Sequence, residues 1–188
     1  NATFSARAFY FNDIGSTIQY IVASSNQTNT NSAIHIEENA ATFGTVSDLI
    51  AHSCTNGIIL AGAGSTINNI KSVRTSGRGI DLYISNSVLS NVTVIGNATA
   101  GITAVLCENC IIENLTARGA TSYAQARGLQ FNGGGSGTSS AAGSVIIING
   151  VFGSGTTHTT GDITTSSTHV SGTVFAHGCT FNSATILS

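Results

Sequence analysis

The chain has 188 residues and a formal net charge of −2, with 7% charged (6 basic against 8 acidic) and 41% hydrophobic residues. So few cations argue against nucleic acid as a partner, because that surface needs clustered Lys and Arg, and the apolar content argues against disorder. No apolar run approaches the ~20 residues of a membrane helix, and with no Pro, no Met and a single Lys among many Gly, Ser, Thr and Asn, the composition is that of strands joined by tight turns.

In chain order, residues 1–32 stand apart from the repeat that follows. Phe4, Phe9, Tyr10 and Phe11 gather aromatic bulk, the alternating stretch Ile18-Gln19-Tyr20-Ile21-Val22 comes next, and the polar residues 24–32 read as a loop. A stack of repeats must cover the apolar layer at its end, so this stretch is expected to be an N-terminal cap or assembly segment. The first residue is Asn1 rather than Met, which fits a processed, exported chain or an excised fragment.

From Ala33 onward one pattern recurs. Gly57-Ile58-Ile59-Leu60, Gly79-Ile80-Asp81-Leu82 and Gly101-Ile102-Thr103-Ala104 are spaced by 22 residues. Each is followed by an apolar-polar alternation carrying Asn69, Asn91 or Asn114, with Asp48 in the same slot upstream. Alternation in steps of two means strands, and a fixed period in this range means stacked units that share one core. Within Leu89-Ser90-Asn91-Val92-Thr93-Val94 the alternation slips by one at Asn91, as a bend between strands requires. Asn tolerates the left-handed conformation of such a bend, and its amide can bond to the next rung. The file Asp48, Asn69, Asn91 and Asn114 is therefore expected to form a structural ladder.

Downstream, Gly128-Leu129-Gln130-Phe131 restarts the unit, and the Gly/Ser-rich residues 132–143 read as a loop excursion. Ile146 to Phe152 and Gly172 to Phe175 are further strand candidates of open register, a second excursion is expected over 154–168, and Phe175 to Asn182 resembles one more rung. The expectation is an all-β solenoid over 33–188 with rungs of about 22 residues.

On the Gly-Ile-x-Leu and Ile-x-Asn-Val-x-Val pattern, residues 33–153 resemble a right-handed parallel β-helix. That is the architecture of the pectate-lyase-like superfamily, phage tailspikes and bacterial surface adhesins. The resemblance implies that any catalysis sits on the outer face. There, acidic residues of adjacent rungs bind Ca²⁺ or act as acid and base, and an Arg or Lys abstracts a proton in lyases.

Four outward columns follow from the alternation: His35, Ile59, Asp81, Thr103, Gln130; Ser47, Asn68, Ser90, Glu113; Ile50, Lys71, Thr93, Thr116; and His52, Val73, Ile95, Arg118. Each holds at most one carboxylate, whereas a glycosidase pair stands ~5–10 Å apart. Asp81 and Glu113, with Lys71 and Arg74, are the weak catalytic alternative. A salt-bridged corner of Lys71, Arg74, Arg78 and Asp81 on a solvated face is the stronger expectation. Glu37, Glu38 and Glu108 read as solvent-facing turn charges and the five histidines as surface residues. Cys107 and Cys110 have redox or zinc spacing without a second pair, and Cys110 shares the slot of Ser65 and Ser87, so a small inward or turn residue is expected. No cofactor or metal is expected. Sequons stand at Asn1, Asn26, Asn91, Asn97 and Asn114.

The resulting expectation is a non-catalytic extracellular, secreted or virion-surface component: a filament subunit, fibre, spike or adhesin. It would associate with its own copies through solenoid ends or sides, and surface glycans would be possible ligands. The alternative is a polysaccharide lyase, glycoside hydrolase or carbohydrate-binding fragment of a tailspike-like depolymerase. Ice binding through Thr93 and Thr116 is weaker, since Lys71 and Ile50 interrupt their column.

Overall fold

The structure, a computed structural model, describes residues 9–12, 17–24, 32–42, 44–120, 125–131, 144–153, 161–165 and 173–182. Phe4, the sequons at Asn1 and Asn26, His158, His169 and the excursion expected at 132–143 lie outside the described residues.

The described residues form two parallel sheets and no helix. The first sheet runs in the order β1 (Phe9–Asn12), β3 (Ser32–Thr42), β5 (Asn56–Ala63), β7 (Arg78–Ser85), β9 (Ala100–Glu108), β12 (Arg127–Phe131) and β15 (Gly161–Thr165). The second contains β2 (Ile18–Ser24), β4 (Thr45–His52), β6 (Thr66–Val73), β8 (Val88–Ile95), β10 (Cys110–Glu113), β13 (Val145–Ile148) and β16 (Val174–His177). Beyond a corner, β11 (Thr116–Arg118) and β14 (Val151–Phe152) continue β10 and β13. Chain and space alternate between the sheets, which makes a parallel β-solenoid with rungs of roughly 23 residues.

Register explains the core. Ile34, Ile58, Ile80, Ile102, Leu129 and Ile163 stack rung on rung in the first sheet. Opposite them, Ile21, Leu49, Ile70 and Val92 stack in the second. All are buried, and each such aliphatic side chain contributes roughly 1.5–3 kcal/mol by leaving water.

Left-handed residues mark three files of corners among the described residues. One file is Gly64, Asn86 and Asn109, and another is Ser53, Arg74 and Gly96. The third is Tyr20, Asp48, Asn69, Asn91, Asn114, Asn149 and Gly178, with φ between 53° and 63°. Its members Tyr20, Asn149 and Gly178 extend the expected file in both directions.

The expected ladder needs one correction. Asn69 Nδ2 donates to Asp48 Oδ1 at 2.6 Å, Asn114 to Asn91 at 3.2 Å and Asn149 to Asn114 at 3.5 Å. Asn91, however, donates to Asn68 rather than Asn69, at 2.8 Å, and Ser90 Oγ donates to the same Asn68 oxygen at 3.1 Å. The file is continuous as backbone and steps sideways as hydrogen bonds.

The solenoid already begins within the stretch expected as a cap, because β1 pairs with β3 and β2 with β4. Likewise β15 lies inside the excursion expected at 154–168 and pairs in register with β12. At the first rung Ile18, Ile21 and Ala23 of β2 are buried, while Phe9 of β1, in register with buried Ile34, is 39% exposed. In β16 the inward rows of Val145 and Ile147 continue as Val174, half-buried, and Ala176, exposed.

Candidate functional site

The outer face of the first sheet carries the column Tyr10, His35, Ile59, Asp81, Thr103, Gln130 and Thr164 in strict register. The alternation of β3 to β12 puts these side chains opposite the aliphatic core. The expected membership is met, and the expected solvation is not. Asp81 is 7% exposed, Thr103 is fully buried, and His35, Gln130 and Thr164 are buried as well. Rung periodicity fixes which side of a sheet a residue takes, but not whether other chain covers that side.

Two polar clusters sit on this face. In the first, Tyr10 Oη donates to Glu37 Oε2 at 3.0 Å, and His35 Nε2 stands 3.3 Å from the same oxygen. The Tyr10 and His35 rings meet edge to face at 5.1 Å. His35 is therefore a buried partner of a carboxylate rather than a surface histidine, and Glu37 is a strand residue rather than a turn charge. In the second, Arg78 Nη1 lies 3.4 Å from Asp81 Oδ2. Burial raises the Asp81 pKa above the ordinary carboxylate value, with Arg78 opposing it. Burial also raises Tyr83, reinforced by the Asp81 charge. Asp81 Oδ1 and Thr103 Oγ1 are buried with no hydrogen-bond partner among the described residues.

The weak catalytic set does not assemble. Asp81 is in β7 of the first sheet and Glu113 in β10 of the second, in register with Ser90 and Ile148. Lys71 is exposed in β6 between Ile50 and Thr93, and Arg74 is exposed at a corner with φ 55°. The expected four-member charged corner thus reduces to Arg78 with Asp81. Another carboxylate on the Asp81 face is Glu37, two strands away. The alternation Ile34-His35-Ile36-Glu37 carries that signal, which a turn assignment for Glu37 obscures.

A second missed feature lies inside the solenoid. Asn97 is fully buried and spans three rungs. Its Oδ1 accepts from Thr75 Oγ1 at 2.8 Å and Ser72 Oγ at 3.4 Å, and its Nδ2 donates to Gln125 Oε1 at 3.4 Å. The sequon at Asn97 cannot carry a glycan in this fold, whereas Asn91 and Asn114 are exposed. The recurrent glycines follow first from the next rung, because a Cβ on Gly57 or Gly79 would collide with the carbonyl oxygen of Gly79 or Gly101. A Cβ on Gly79 would stand 2.7 Å from Asn97 Nδ2, and one on Gly101 2.7 Å from Gln125 Nε2.

Cys110 occupies the Ser65 and Ser87 slot, and its thiol donates to the Glu108 carbonyl at 3.2 Å. Cys54, Cys107 and Cys110 are buried free thiols. The Cys110 contact and burial hold Cys107 protonated. No group of three or more metal-ligating side chains occurs among the described residues.

No protein-family model, curated protein or solved structure matches the chain.

Proposed function

We propose that the chain is a structural, self-associating β-solenoid of an extracellular or virion surface, working as a fibre, spike, filament or adhesin component. The observation that carries this reading is the contrast between rungs. The inward side chains of the middle rungs are sealed, whereas the outermost described strands leave inward apolar side chains uncovered. Phe9 of β1, in register with buried Ile34, is 39% exposed, and in β16 Val174 is half-buried and Ala176 exposed, with Phe175 56% exposed beside them. An open strand edge with apolar side chains is a surface that another strand covers. Support also comes from the second sheet, where the outer row Thr45, Thr66, Val88, Ile111, Ile146 and Phe175 turns from hydroxyl to apolar along the axis. Light scattering and negative-stain electron microscopy test it. Assembly that grows with concentration is expected, and a strictly monomeric chain at high concentration would remove the reading.

One observation favours a second reading, action on polysaccharides. Asp81 is held toward its acid form on the same face as Glu37, whose carboxylate accepts from Tyr10. An acid and a base on one face are what glycoside cleavage requires. Depolymerisation of uronate-containing glycans, assayed with and without Ca²⁺ and abolished by Asp81→Asn, would replace the structural reading with this one.

A further inference from the structure

We propose that the chain joins two of its own rungs covalently, through an ester between the Thr103 hydroxyl and the side-chain carbonyl carbon of Gln130, formed with release of ammonia. The proposal goes beyond the structural reading above and stands whether or not copies of the chain associate.

The starting observation is a row of buried polar side chains with unpaired atoms. Asp81, Thr103, Gln130 and Thr164 follow one another on β7, β9, β12 and β15, in register and on one face. None is more than 8% exposed. Asp81 Oδ1, Thr103 Oγ1 and Thr164 Oγ1 have no hydrogen-bond partner among the described residues. Folded chains seldom leave buried polar atoms unpaired, and those that do occur collect where a reaction uses them.

The order of the row supplies that reaction. Neighbouring strands lie about 4.8 Å apart, so Thr103 has Asp81 on one side and Gln130 on the other. A hydroxyl between a carboxylate and a carboxamide is a nucleophile between its base and its electrophile. Arg78 Nη1 lies 3.4 Å from Asp81 Oδ2, which leaves Oδ1 to take the Thr103 proton. Burial raises the Asp81 pKa and so makes its carboxylate a stronger base than a solvated one. Arg78, and then the Thr103 hydroxyl, favour the ionised form that the step requires.

The step balances within the chain. Asp81 Oδ1 takes the proton of Thr103 Oγ1 as that oxygen bonds to Gln130 Cδ. Negative charge develops on Gln130 Oε1, beside the Thr164 hydroxyl that can donate to it. Collapse breaks the Cδ–Nε2 bond, Asp81 returns the proton to the leaving nitrogen, and ammonia departs. Register holds the two reacting groups together and replaces a bimolecular encounter. Burial keeps water from the ester, and the escape of ammonia drives its formation. The link closes residues 104–129 into a loop, which restrains the unfolded chain as a disulfide does.

Mass spectrometry of the full chain, reduced and denatured in acid, tests this. The expected mass is below that of the sequence by one ammonia. Trypsin should release the peptide 79–118, which holds Thr103, joined to the peptide that begins at Gly128 and holds Gln130. Thr103→Val should have the full mass and give the two peptides separately, whereas Thr103→Ser keeps the hydroxyl and should keep the link. Asp81→Asn should slow the appearance of the link roughly a hundredfold or more during refolding. A parent chain of full mass, or an ammonia loss mapped to an asparagine within one peptide, would overturn the proposal. So would a link that survives Thr103→Val. Linkage at the parent rate in Asp81→Asn would remove Asp81 from the reaction. None of these outcomes bears on self-association, which light scattering reads separately.

Discussion

Two of the asparagine-bearing files along this solenoid lie six residues apart in the chain and are opposite in their physics. Asn91 stands at an exposed corner, where its value is conformational: its backbone holds φ 55° and its amide reaches a neighbour across the rung. Asn97 is enclosed, and its value lies in bonds that no solvent can replace, to Ser72, Thr75 and Gln125. The same residue type does one job that glycine could share and another that no other side chain could fill. A repeat can therefore look most regular at its surface while its least replaceable residue occurs once.

The largest effect follows from the enclosed file. Asn97→Ala takes from Thr75 N and the Ser72 hydroxyl the Oδ1 acceptor they share in a buried corner, and opens a void. We expect a loss of about 3 kcal/mol or more, since each unmet buried group costs ~1–3 kcal/mol. Urea unfolding measures it, and a loss no greater than that of Asn91→Ala would dissolve the distinction between the two files.

At the exposed corner the expected pattern differs in kind. Asn91→Ala forces a Cβ-bearing residue without a polar side chain into the left-handed region, costing about 1 kcal/mol. Asn91→Gly keeps the backbone conformation open and should change stability by roughly half that or less. If glycine proved as damaging as alanine, the corner amide rather than the corner angle would be the stabilising element.

The two faces of the first sheet sharpen the comparison through pH. Asp81 has a raised pKa in the folded chain because it is buried. Between the ordinary carboxylate value and that raised value, the folded chain binds more protons than the unfolded one. Stability contributed by this group therefore falls as pH rises through the window, and the penalty is complete above the folded pKa. Asp81→Asn cannot ionise, so its stability relative to the parent should improve from pH 3 to pH 7, by an amount on the order of 1 kcal/mol. Thermal unfolding at the two pH values reads the difference. A variant that gains nothing at pH 7 would mean that Arg78, 3.4 Å away, offsets the burial fully.

The period and the outward columns were legible because alternation and glycine spacing are local properties. Ile58, Ile80 and Ile102 declare their stacking, and Asn69, Asn91 and Asn114 declare a bend. Three things were not legible, each for a physical reason. Ser53 and Arg74 take left-handed corners without being Gly or Asn, since the stacked rungs overrule their local preference. Asn97 reads as a sequon because a buried amide and a glycan acceptor have the same letters. His35 and Asp81 read as solvated because alternation assigns a side of the sheet and not a degree of burial.

The smallest effect is a difference in rate. Cys54, Cys107 and Cys110 are enclosed, while Cys179, which accepts from Gly150 N at 3.3 Å, is partly exposed at the open end. A thiolate must form and be reached before it reacts, and both conditions fail for the Cys107 thiol, which burial and its Cys110 neighbour keep protonated. A chromogenic disulfide reagent should therefore label one thiol quickly, identified by mass spectrometry as Cys179. The other three should react only as fast as the chain opens, and all four together in denaturant. Because Asn97 anchors the corner that encloses Cys54, Asn97→Ala should release the slow thiols sooner and Asn91→Gly should not, which separates the enclosed file from the exposed one by kinetics alone. Equal acceleration by both substitutions would show that the rung, and not the individual file, is the unit that opens.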